Sequence, residues 1–130
     1  MSPAQPVRVL VVDDNVDMAE TLALLLGFWG HESCIVHDGR RALEKAAGFR
    51  PDVVLLDIGL PGMDGYRVAA RLRQQPGMDR AILIAVTGYG QDEDYRHSQE
   101  AGIAHHLVKP VDLTLLRDLL ERCTSPAHSA

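Results

Sequence analysis

Val7-Arg8-Val9-Leu10-Val11-Val12 runs straight into Asp13-Asp14-Asn15. A short, β-branched, nearly all-apolar run reads as a strand buried on both faces, and here it ends on two acids. Three further stretches repeat the pattern. Val53–Leu56 stops at Asp57, Ala81–Val86 stops at Thr87, and Leu107-Val108 stops at Lys109-Pro110. In open α/β sheets the ligand crevice lies outside the carboxyl ends of the strands. The spacing therefore predicts three carboxylates, a hydroxyl and an ammonium at one sheet edge, a set suited to a divalent metal and a phosphoryl group.

Helical patterns alternate with these runs. Val16–Trp29 sets Ala19, Leu22, Leu25, Leu26 and Trp29 at amphipathic spacing, with Asn15 as its cap and Gly30 as its stop. Ser33–His37 is a weaker, edge-like strand, and Asp38-Gly39 turns into a helix at Arg40–Ala47. Asp64 caps Gly65–Gln75, Gly102 closes a helix over Asp92–Ala101, and Leu113–Cys123 turns Leu116, Leu119 and Leu120 inward. Short connections force right-handed crossovers. The expectation is an α/β, flavodoxin-like, doubly wound parallel sheet of five strands in the order 2-1-3-4-5, with five helices. That order sets the first strand beside the third and so brings Asp13 and Asp14 to Asp57. Residues 7–123 read as one domain, with 1–6 as a disordered N-terminal end and 124–130 as a tail.

The 130 residues are 46% apolar and 24% charged, enough for a sizeable core. A net charge of −5 without a basic stripe argues against direct nucleic-acid binding. No apolar run is long enough for membrane insertion, Met1-Ser2-Pro3 does not open a signal peptide, and a cytoplasmic protein is expected. Cys34 and Cys123 are too few for a disulfide scaffold.

Clustered carboxylates repel: at about 5 Å and an effective dielectric near 20, each pair costs on the order of 3 kcal/mol. A cation or a raised pKa must sustain them. Mg2+ suits such a cluster, being a hard ion bound through one or two carboxylates while it accepts phosphate oxygens. A carboxylate can itself take up a phosphoryl group as an acyl phosphate. Charge on the three equatorial oxygens then needs neutralising, for which the metal, Lys109 and Thr87 are suited.

Asp13-Asp14-Asn15, Asp57, Leu60-Pro61-Gly62-Met63-Asp64-Gly65, Thr87-Gly88 and Lys109-Pro110 together resemble the receiver domain of bacterial two-component response regulators. The resemblance spans Val7 to Arg122. It implies that Asp57 accepts a phosphoryl group from a histidine kinase or histidine phosphotransfer protein. It implies that Asp14, Asp57 and the Gly59 backbone carbonyl bind Mg2+, that Asp13 acts through water, and that the Lys109–Pro110 peptide is cis. The helix over Asp92–Ala101 offers only Tyr95 and Ala101 as apolar anchors, so a switch running from Thr87 to this helix, and a downstream protein partner on the face it shares with the last strand and last helix, are expected. One position departs from the pattern. Three residues before the Lys, where receivers often carry Tyr or Phe, stands His106, and strand alternation turns it away from the phosphoryl site. The segments around Thr87 and His105-His106 are similar to receivers of hybrid sensor kinases, which implies a phosphorelay. Gly59 and Tyr89 flank the acceptor without an amide or carboxylate to orient water, so slow self-dephosphorylation is expected.

Competing readings fit less well. A metal-dependent phosphatase that uses an aspartyl phosphate would carry its acids as Asp-x-Asp in one loop and would need a substrate cap. A flavin- or nucleotide-binding domain would open its first loop with Gly or hydroxyl residues, whereas Asp13-Asp14 repel phosphate. A receiver-like interaction module without chemistry would not need all five site residues. The sequence thus predicts a regulatory phosphoacceptor rather than an enzyme acting on a separate substrate.

Overall fold

The computed structural model describes residues 6–60, 64–88 and 100–123. Chain order is β1 (Arg8–Val12), α1 (Val16–Phe28), β2 (Glu32–Val36), α2 (Gly39–Phe49), β3 (Val53–Asp57), α3 (Gly65–Gln74), β4 (Ile82–Thr87), β5 (Ile103–Val108) and α4 (Leu113–Cys123). All neighbouring strands pair in parallel, and the order across the sheet is β2-β1-β3-β4-β5. The expected doubly wound sheet is present. Four helices stand among the described residues rather than the five expected. Of the helix read at Asp92–Ala101, only the helical Glu100 and Ala101 fall within the described residues.

The helix starts follow local side-chain chemistry. Asn15 accepts from the Met18 N–H, Asp38 from Arg41 and Asp64 from Tyr66, so each side chain occupies an otherwise unpaired amide of the first turn. Gly30 and Gly102 follow their helices with φ of 91° and 82°, the left-handed region glycine enters without strain. The central strand β3 is buried at every position. One face of the sheet packs on α2 and α3 through Ala42, Ala46, Val68 and Leu72. The other packs on α1 and α4 through Leu22, Leu26, Leu116 and Leu120.

β5 is longer than the Leu107-Val108 pair that its apolar pattern indicated. Ile103-Ala104-His105-His106 also pairs with β4, with an irregularity opposite Leu83 and Ile84. An edge strand is half exposed, so it does not carry the continuous apolar run of a central strand. Burial, then the charges of Arg122 of α4 and of His106, lower the pKa of His105, and Leu107 joins the cluster under α1 and α4. Alternation therefore turns the half-buried His106 to the opposite face, away from α4.

Candidate functional site

The carboxyl ends of β1, β3, β4 and β5 deliver the site. Asp13 and Asp57 are only 4% and 5% exposed and Thr87 2%, whereas Asp14 is exposed. One carboxylate oxygen from each of Asp13, Asp14 and Asp57 lies within 4.8 Å of the others. Lys109 Nζ stands 3.1 Å from Asp57 Oδ2 and 3.5 Å from Asp13 Oδ2. The Gly59 N–H donates to Asp57 Oδ1 at 2.8 Å, and the Asn15 N–H donates to Asp13 Oδ1 at 2.9 Å. Thr87 Oγ1 donates a long bond of 3.5 Å to the Leu107 carbonyl on β5. The Lys109–Pro110 peptide is cis. Tyr89 and the loop residues Pro61, Gly62 and Met63 lie outside the described residues.

The electrostatics follow from this crowding. Three carboxylates face one ammonium. Burial raises the Asp13 pKa; the Asn15 N–H and Lys109 oppose the rise, and the Asp57 charge adds to it. Burial alone would lower the Lys109 pKa, but the hydrogen bond and charge of Asp57 and the charge of Asp13 together raise it. The donors are all hard oxygens and the negative charge exceeds the positive, so the residues fit a divalent cation such as Mg2+.

Two features of the site have no signature in the local sequence. The Asp13 N–H donates to the Val36 carbonyl at 3.1 Å, and His37 Nδ1 lies 2.9 Å from the Asp13 carbonyl. Both depend on the register that sets Val12 opposite Val36. After Asp57, a Cβ on Gly65 would lie 2.6 Å from Ile58 Cα. The start of α3 is thus seated on the backbone that follows Asp57.

Residues 9–121 match the sequence model of the response regulator receiver domain. The chain belongs to that family. As a receiver domain it is homologous to the phosphoacceptor domains of two-component systems, and its acidic pocket fits a phosphorylation site. It is 31% identical over 115 residues to sporulation initiation phosphotransferase F of Bacillus subtilis, covering 88% of this chain and 91% of that protein. It is 38% identical over 103 residues to the DNA-binding response regulator MtrA of Mycobacterium tuberculosis, covering 79% of this chain and 44% of MtrA. The receiver thus spans less than half the length of MtrA. Among solved structures, the receiver domain of sensor histidine kinase PA1611 from Pseudomonas aeruginosa superimposes with a TM-score of 0.81 at 29% identity. The match covers 92% of this chain and 98% of that one, and that structure has a magnesium ion coordinated in its active-site cleft. Receiver domains bind Mg2+ at this acidic site, interact with histidine kinases or phosphotransfer proteins, and are regulatory phosphoacceptors. No helix among the described residues is long and apolar enough to cross a membrane.

Proposed function

We propose that Asp57 of this receiver accepts a phosphoryl group, in a Mg2+-dependent reaction, from the phosphohistidine of a histidine kinase or phosphotransfer protein. The observation that carries the reading is the buried Asp57 carboxylate, 3.1 Å from Lys109 Nζ and clustered with Asp13 and Asp14. One Asp57 oxygen attacks phosphorus. A P–O bond forms as the P–N bond breaks, and its electron pair leaves with the imidazole nitrogen. Asp14, Asp57 and the Gly59 carbonyl would hold the cation, with Asp13 assisting through water. Bound there, the cation supplies positive charge to the phosphoryl oxygens. The Lys109 ammonium, already beside Asp57 Oδ2, follows the negative charge onto the phosphoryl group.

Thr87 turns its hydroxyl from the Leu107 carbonyl to the phosphoryl group, and the loss of that bond reaches β5. The downstream protein partner then reads the face of the predicted helix at 92–101, β5 and α4, with His106 modulating the switch. Neither Gly59 nor Tyr89 carries an amide or carboxylate that could orient water, so self-dephosphorylation is slow. Similarity to a sensor kinase receiver and to a sporulation phosphotransferase supports membership of a phosphorelay. Residues 7–123 are the functional unit, and the free Cys34 and Cys123 suit a reducing, cytoplasmic compartment.

Intact-mass measurement after incubation with acetyl phosphate and Mg2+ tests the assignment. The parent should gain one phosphoryl group and Asp57→Asn none. An equal adduct on Asp57→Asn overturns the choice of acceptor.

A further inference from the structure

We propose that His37 is a positioning residue of the phosphorylation site: it holds the peptide that joins Asp13 to Asp14 and so aims the Asp14 carboxylate. The proposal rests on the reading of Asp14 as a cation ligand.

His37 belongs to none of the strand ends that deliver acids, and its side chain is exposed. Its Nδ1 nevertheless lies 2.9 Å from the backbone oxygen of Asp13. A carbonyl can only accept, so Nδ1 carries the proton and donates. The Asp13 N–H is held as well, by the Val36 carbonyl at 3.1 Å. The end of β2 therefore grips both backbone polar groups of Asp13.

The consequence falls on Asp14. The Asp13 oxygen belongs to the planar peptide unit that includes the Asp14 nitrogen and Cα. Fixing the oxygen fixes the plane and, with it, the N–Cα axis on which the Asp14 side chain is mounted. Asp13 has further anchors, the Asn15 N–H on Oδ1 and Lys109 near Oδ2. The Asp14 carboxylate has no hydrogen bond or ion pair among the described residues, yet its oxygen joins the three-acid cluster. Its aim is a backbone property, and His37 is the side chain that sets that backbone. Groups that orient a ligand from behind typically change metal affinity by roughly 10–100-fold when removed.

The experiment measures the Mg2+ concentration for half-maximal phosphorylation by acetyl phosphate, the maximal rate at saturating Mg2+, and the Mg2+-free melting temperature. Parent, His37→Leu and His37→Asn are compared, the last because its side-chain amide can donate from nearly the Nδ1 position. His37→Leu should raise the half-saturating Mg2+ about tenfold, while maximal rate and Mg2+-free melting stay near the parent. His37→Asn should restore the parental Mg2+ dependence. Equal Mg2+ dependence in parent and His37→Leu overturns the proposal, as does a His37→Asn variant no better than His37→Leu. A parent whose phosphorylation ignores Mg2+ overturns the reading of the site itself, and this proposal with it.

Discussion

Lys109 Nζ reaches Asp57 Oδ2 at 3.1 Å across 52 residues of sequence and over the end of an intervening strand. β4 lies between the strands that carry the two residues, and its last residue, Thr87, accepts the Lys109 N–H on its carbonyl at 2.8 Å. The Asp57 carboxylate, the Thr87 hydroxyl and the Lys109 ammonium thus sit at three adjacent strand ends. A phosphoryl group on Asp57 would find the Lys109 ammonium already beside it.

Lys109→Met should abolish efficient phosphorylation and destabilise the Mg2+-free protein. Breaking a fully buried pair costs roughly 3–5 kcal/mol. The Lys109 side chain is 27% exposed, so we expect about 1–2 kcal/mol in urea melts. Because the folded pKa of Lys109 is raised above 10.5, its contribution persists below that pH and is lost as pH rises through the folded value. Unchanged melts would mean that the ammonium does not compensate the acids.

Asp13→Asn should stabilise the Mg2+-free protein and weaken its response to Mg2+. A carboxyl whose pKa is raised by burial takes up a proton more readily folded than unfolded. The charged form therefore costs stability at neutral pH, and that cost grows as pH rises through the folded pKa. In the parent, Mg2+ at about 100 times its Kd should add about 2.7 kcal/mol. Melting temperatures in chelator and in Mg2+ check both signs, and superimposed parental curves would remove the cation from the site.

His31 should make the fold acid-sensitive at the opposite end of the sheet. The buried ring accepts the Val7 N–H on Nδ1 at 3.1 Å, which requires that nitrogen to be unprotonated. Burial, then the charge of Arg117, lower its pKa, while Glu121 opposes them. The unfolded chain binds the proton first, so stability is full above about pH 6.5 and falls as pH drops through the folded value. Melts at pH 7.5 and pH 5 should show a shallower loss in His31→Gln than in the parent.

Thr87→Ala should still accept the phosphoryl group but fail to transmit it. The hydroxyl of this buried residue links the phosphoryl site to β5 through Leu107. Phosphorylation should change hydrogen exchange over Ile103–Val108 in the parent and in Thr87→Ser, but not in Thr87→Ala. Equal changes in all three would disconnect Thr87 from the switch.

Gly65→Ala should lose about 1–3 kcal/mol of stability, the usual range for overpacking. The added Cβ would meet the Ile58 backbone at 2.6 Å, closer than real contacts of this kind, and backbone gives way less cheaply than the end of a flexible side chain. Thermal melts check this, and a neutral substitution would show that α3 can shift away from β3.

Most of the architecture was legible because its determinants are local. β1, β3 and β4 are covered on both faces, and double burial writes continuous apolar runs that end where the charged site begins. Asn15, Asp38 and Asp64 cap helices through amides two or three residues away, so their role is visible in a few letters. β5 was legible only in its last two residues, because an edge strand mixes exposed and buried positions.

The sequence by itself determined the parallel α/β sheet and the set of groups at its edge: Asp13, Asp14, Asp57, Thr87 and Lys109 each end a run whose composition declares it. Tertiary structure alone decided how those groups are held. The His37–Asp13, Thr87–Leu107 and Lys109–Asp57 contacts arise from strand register between distant segments, and the Gly65–Ile58 approach from helix packing on the strand end. Hydrogen bonds act over about 3 Å. Which groups come that close is set by how the whole sheet pairs and packs, and no local stretch encodes it.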